Sequence, residues 1–114
     1  MWGYMHKRVT MRHMDHVPDV ENYAHDALER IIQALSGEKS PIYLDLVVEP
    51  GRPHAHHQVE LLIKTPSLNI VYKEEGLHVF QLIDRACDMA YKKIHEEKKK
   101  RIKNIRNGDS YKGA

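Results

Sequence analysis

Two stretches in the middle of the chain alternate apolar and polar residues. Ile42, Leu44, Leu46 and Val48 interleave with Tyr43, Asp45, Val47 and Glu49; His57, Val59, Leu61 and Ile63 interleave with Gln58, Glu60, Leu62 and Lys64. A period of two is that of a strand with one buried face. Pro50-Gly51-Arg52-Pro53 separates the two as a loop, and Thr65-Pro66-Ser67 turns the chain into a further strand whose inward set is Leu68, Ile70 and Tyr72. Connections this short favour antiparallel hairpins. A weaker alternation, Val9 and Met11 against Thr10 and Arg12, predicts a first strand near residues 6–13.

Elsewhere the period is helical. Val20, Ala24, Ala27, Leu28, Ile31, Ile32 and Leu35 form one stripe behind Pro18, a residue suited to a helix's first turn, and Gly37 is a natural stop. Phe80, Ile83, Cys87, Ala90 and Ile94 form a second stripe, flanked by Val79, Ala86 and Tyr91, which thins to Ile102 and Ile105 among charges. A helix over 77–103 is ~40 Å long at ~1.5 Å per residue. Four strands are only ~20 Å wide, so the helix should overhang the sheet with its basic end. The order β-α-β-β-β-α, with one apolar sheet face and two amphipathic helices, predicts an α+β two-layer sandwich: a four-stranded mixed sheet with both helices on one face. The expected single domain covers residues 6–106, between a disordered or non-native stretch 1–5 and a frayed tail 107–114.

Composition sets bounds. At 114 residues, 41% apolar and 30% charged, the chain suits one folded domain. No apolar run approaches the ~20 residues that span a bilayer, and the start lacks the apolar core of a secretory signal. The single cysteine, Cys87, cannot form an internal disulfide and lies on the apolar helix face, where a buried, inert thiol is expected. A cytoplasmic location follows as the expectation.

Charge changes the picture more. Residues 92–114 hold nine Lys/Arg and three Asp/Glu, a net of +6, whereas residues 1–91 hold nine and thirteen, a net of −4. Such polarity attracts a polyanion, most commonly nucleic acid. The competing reading is a solvated helix face on which Glu96 and Glu97 pair with Lys100 and Arg101 at i,i+4.

The segment Glu75-Gly76-Leu77-His78-Val79-Phe80-Gln81-Leu82-Ile83-Asp84 is similar to the Glu-x-x-Asp-Met-Tyr-x-x-Ile-Asp opening of the second helix in the short ribosome hibernation-promoting factor and ribosome-associated inhibitor family. Asp88, Lys92, Lys98 and Lys100 fall where that helix carries an acidic and several basic residues, and Glu60 with Pro66 resembles the third strand and its turn. The chain resembles this family from about Lys7 to Lys103, as a divergent member: His78 stands for the usual Asp, and Val17 for the Thr that usually opens the first helix. The resemblance implies binding to the small ribosomal subunit and its rRNA, over the sites of mRNA and of A- and P-site tRNA, with inhibition of translation in resting or stressed cells. Longer relatives add a domain that pairs ribosomes; this chain is expected to pair them only with help or not at all, and to be a monomer off the ribosome.

The candidate RNA-binding residues are Arg85, Lys92, Lys93, Lys98, Lys99, Lys100, Arg101, Lys103 and Arg106 on the second helix, with Lys7, Arg8, Arg12 and Lys64 as a second patch on strand ends. Each cation can neutralise a phosphate and release counterions. Most aromatics fall on apolar faces and should pack; Tyr43 points the other way and can stack on a base or cover the open sheet face. His54, His56 and His57, with His13 and His16, suggest a metal module, but no Cys accompanies them and His56 and His57 point to opposite faces, so no metal is expected. No nucleophile set or phosphate loop appears; neither an enzyme, a cofactor nor a small-molecule substrate is expected. The alternative is a protein-interaction or regulatory module of the same fold without ribosome affinity.

Overall fold

The computed structural model describes residues 5–12, 17–49 and 56–112, the side chains of residues 103–112 excepted. Its elements are β1 (Met5–Met11), α1 (Pro18–Ala34), β2 (Ile42–Glu49), β3 (His57–Lys64), β4 (Asn69–Gly76) and α2 (Val79–Lys112). The sheet order is β1-β2-β3-β4, with β1 parallel to β2 and the other pairs antiparallel. The mixed four-stranded sheet and the two helices on one of its faces are thus as the alternation predicts. The Pro50–Pro53 loop lies outside the described residues.

Register explains the core. Val9, Leu46, Leu61 and Tyr72 are cross-strand partners, as are Met11, Val48 and Val59, and Lys7, Leu44, Ile63 and Ile70. These positions share the face that α1 covers with Val20, Ala24, Leu28 and Ile31, and α2 with Leu82, Ile83, Ala86, Cys87, Ala90 and Ile94. Cys87 is buried, and that burial pushes its thiol up to about 12, an inert group. Phe80 departs from the predicted stripe: it is 41% exposed, edge-on to Tyr23 of α1 at 4.8 Å, and Leu82 takes the inward place. Helix α2 begins only at Val79, so its first turn lies at the rim of the core.

Val17 precedes α1 with no side-chain cap; Pro18 in the first turn and Asp19 and Glu21 beside it supply the local support instead. Past Leu35 the chain reverses through Gly37 at φ +90°, a conformation that a side chain disfavours.

Helix α2 runs along the strands, not across them. It starts beside Gly76 at one end of β4, where Leu82 packs so close that a Cβ on Gly76 would meet its Cδ2 at 3.1 Å, and it reaches Ser67 at the other end through Glu38. Strand length, ~27 Å for eight residues, is therefore the dimension to compare with the ~51 Å of a 34-residue helix. The molecule measures 62 × 32 × 17 Å, and the overhang gives the long axis. The helix also passes residue 103, where the apolar pattern fades, and runs on to Lys112.

Candidate nucleic-acid interface

The cations of α2 fall into two sets. Lys98 donates to the Ser36 carbonyl at 3.0 Å, and Arg101 donates to Glu38 at 2.7 Å. The Glu38 side chain is only 2% exposed and also accepts the Ser67 hydroxyl at 2.8 Å. Thr65 places Ser67: its hydroxyl oxygen accepts the backbone N–H groups of Ser67 and Leu68 at 3.2 and 3.0 Å. Burial opposes the charge on Glu38, but hydrogen bonds from Arg101 and Ser67 and the fields of Arg101 and Lys98 outweigh it, so the carboxyl lies below its ordinary range. Glu38 thus joins α2, the α1–β2 loop and the β3–β4 turn. Arg101 pairs with it and not with Glu97, as the i,i+4 reading had it. Glu97 pairs instead with Lys93 at 3.2 Å and Lys100 at 3.6 Å. The Lys93 hydrogen bond lowers the Glu97 carboxyl, and the same bond raises the Lys93 ammonium.

The second set looks outward. Lys92 and Lys99 are exposed, two turns apart on one stripe, and form no ion pair among the described residues. Arg85 lies two turns before Lys92 on the same stripe and contacts Glu74 at 3.5 Å, a surface pair of little strength. Lys103 continues the spacing, but its side chain and that of Arg106 lie outside the described residues.

The strand patch does not assemble as one surface. Lys7 sits on the inward face at the sheet edge and pairs with Glu29 of α1 at 3.1 Å. Arg8, Arg12 and Lys64 are on the opposite, open face, where Arg8 makes a two-pronged contact with Asp45 and Arg12 lies 4.0 Å from Glu49. Lys64 is exposed beside Tyr43, its cross-strand partner. Tyr43 does face away from the core, at 39% exposure. His56 is exposed and His57 half-buried at the start of β3, and His13, His16 and His54 lie outside the described residues.

Sequence reasoning missed Glu38, whose partner Arg101 is 63 positions away. It also missed contacts that tie the helices together: the Tyr23 hydroxyl on Asp84 at 2.7 Å, and Arg30 on Asp88 at 3.1 Å and over the Tyr91 ring at 5.4 Å. The Asp84 bond raises the Tyr23 phenol, since it favours the protonated form. None of these pairs carries a local spacing signal.

Among solved structures, the chain is similar to the Thermus thermophilus Protein Y N-terminal domain, with TM-score 0.65 and 18% identity over 78% of this chain and 93% of that one. It is similar also to a ribosomal subunit interface protein from Coxiella burnetii, with TM-score 0.64 and 15% identity over 82% and 98%. At such identities the likeness shows the fold. No curated protein sequence matches the chain significantly. The family described as sigma 54 modulation protein / S30EA ribosomal protein matches residues 8–102, the stretch that holds both helices' contacts and the basic stripe as far as Lys99, and the chain belongs to that family.

Proposed function

We propose that this chain is a cytoplasmic ribosome-associated translation inhibitor that binds small-subunit rRNA in the mRNA and tRNA channel and blocks translation in resting or stressed cells. Family membership supports the ribosome as partner. The observation that carries the mode of binding is the outward stripe of α2, with Lys92 and Lys99 exposed and in no ion pair among the described residues, on a helix that projects past the sheet. Folded rRNA presents phosphates more readily than base edges, so such a stripe suits its backbone. Inhibition is then occupancy: a rigid positive rod fills space that mRNA and tRNA need, and the reading requires no catalytic group.

The test is co-sedimentation with isolated small subunits across a salt series. Wild type should bind tightly at low salt and weaken steeply as salt rises. Lys92→Ala/Lys99→Ala should bind roughly tenfold more weakly, with a log–log salt slope shallower by about 2. Equal binding by the double variant, or none by wild type at low salt, would exclude the reading. It would favour the protein-interaction module, for which the paired cations Lys93, Lys98, Lys100 and Arg101 need no RNA.

A further inference from the structure

The open face of the sheet is electrically graded along the strands. Cross-strand register sets its residues in rows: His6, Tyr43, Lys64 and Asn69 form the first, and Arg8, Asp45, Leu62 and Val71 the second. The first row has no carboxylate, and the only one in the second is paired with Arg8 at 3.0 Å. At the far end Glu60 lies 3.6 Å from Lys73 and Glu49 lies 4.0 Å from Arg12, and Glu75 adds a further carboxylate. Lys64 thus leaves one end of the face with an excess cation and Glu75 leaves the other with an excess carboxylate, a difference that favours a phosphate chain at the first.

At that first end the rings of His6 and Tyr43 are 6.2 Å apart, tilted by 52°, and line a shallow hollow of about 480 Å³ together with the Arg8–Asp45 pair, Leu62 and Lys64. An exposed phenol ring beside a lysine is a platform for a base whose phosphate the ammonium can meet. The same end of the sheet carries the α1–β2 loop, where Lys98 and Arg101 dock and α2 leaves the body. Exposed Lys39 lies in that loop.

We propose that His6, Tyr43 and Lys64 form a second RNA contact, a stacking site for an unpaired nucleotide. The proposal rests on the reading of the chain as an rRNA binder and adds a single-strand site on the face opposite the helices. A duplex keeps its bases stacked on one another and offers nothing to the Tyr43 ring, so the site selects single strands.

Fluorescence anisotropy with a labelled eight-nucleotide oligoadenylate, and with an RNA duplex of equal length, tests this. Wild type should bind the single strand. Tyr43→Ala should weaken that binding roughly 5- to 100-fold with its salt slope unchanged, and Tyr43→Phe should restore most of it. Lys64→Ala should instead flatten the slope by about 0.7. Duplex binding should be indifferent to residue 43. Tyr43 is exposed, and unchanged melting temperatures would verify that the variants fold. Equal oligoadenylate binding by wild type and Tyr43→Ala, or none by wild type, overturns the stacking site. If ribosome co-sedimentation persists in that case, only this proposal has failed; oligoadenylate binding without ribosome binding would leave the site standing and remove the ribosome reading.

Discussion

Helix α2 is two structures joined end to end, and Ile94 and Ile102 show the difference. Ile94 is fully buried, the last residue of the apolar stripe on β3 and β4, whereas Ile102 is 54% exposed. The first half is held by the sheet, so its position is set by side-chain packing and its residue types by the core. The second half continues the same helix beyond that packing, and Lys98 and Arg101 tie its start to the α1–β2 loop. One continuous helix thus carries a surface away from the body without a hinge. The same division recurs between neighbours: Lys98 docks on the Ser36 carbonyl while Lys99, a turn of 100° onward, faces solvent. Identical side chains one position apart are structural in one case and available in the other.

The largest expected effect breaks the comparison at its centre. Ile94→Ala should cost about 3 kcal/mol through lost burial and a cavity, and Ile102→Ala should change stability by less than about 0.5 kcal/mol. Chemical denaturation of the two variants measures this. Equal losses would mean that the projecting half packs on something and that the division of α2 is wrong.

Next in size is Arg101→Ala, which leaves the nearly buried Glu38 carboxylate without its strongest partner. A loss of about 2 kcal/mol, or of the order of 10 °C in Tm, is expected. Lys99→Ala should leave Tm unchanged and still weaken ribosome binding. A variant that neutralises residues 98–101 together would mix these effects, so single substitutions are required to separate loop docking from RNA contact.

Much of this was legible in the sequence because it is local. Period-two runs placed β2 and β3 to the residue, and the Leu28–Ile31 stripe placed α1. The fold class followed from the order of elements, and the charge count located the basic end. Partnerships across long separations were not legible. Glu38 meets Arg101, and Tyr23 meets Asp84, only because the fold brings them together, and nothing at either position announces its partner. The charge run read as one patch for the same reason: composition counts cations, whereas the paired carboxylates decide which of them remain uncompensated.

The smallest effect sharpens the comparison by pH. Glu38 titrates below its ordinary 4.5 in the folded protein, because the bonds from Arg101 and Ser67 prevail over burial. Between that depressed value and 4.5 the unfolded chain binds more protons, so stability rises with pH across the window. The carboxylate's contribution is fully present above 4.5 and is lost as pH falls through the folded value. Arg101, the other member of the pair, is 44% exposed, which weakens the pairing, so the effect is best read as a difference. Melting temperatures of wild type and Glu38→Gln, followed from pH 7 to pH 3, should be furthest apart at pH 7 and converge on acidification, since other carboxylates titrate alike in both. A gap that stays constant would mean that the Glu38 charge does not hold the loop to α2, and that Lys98 and Arg101 belong with Lys99 on the RNA-facing side of the comparison.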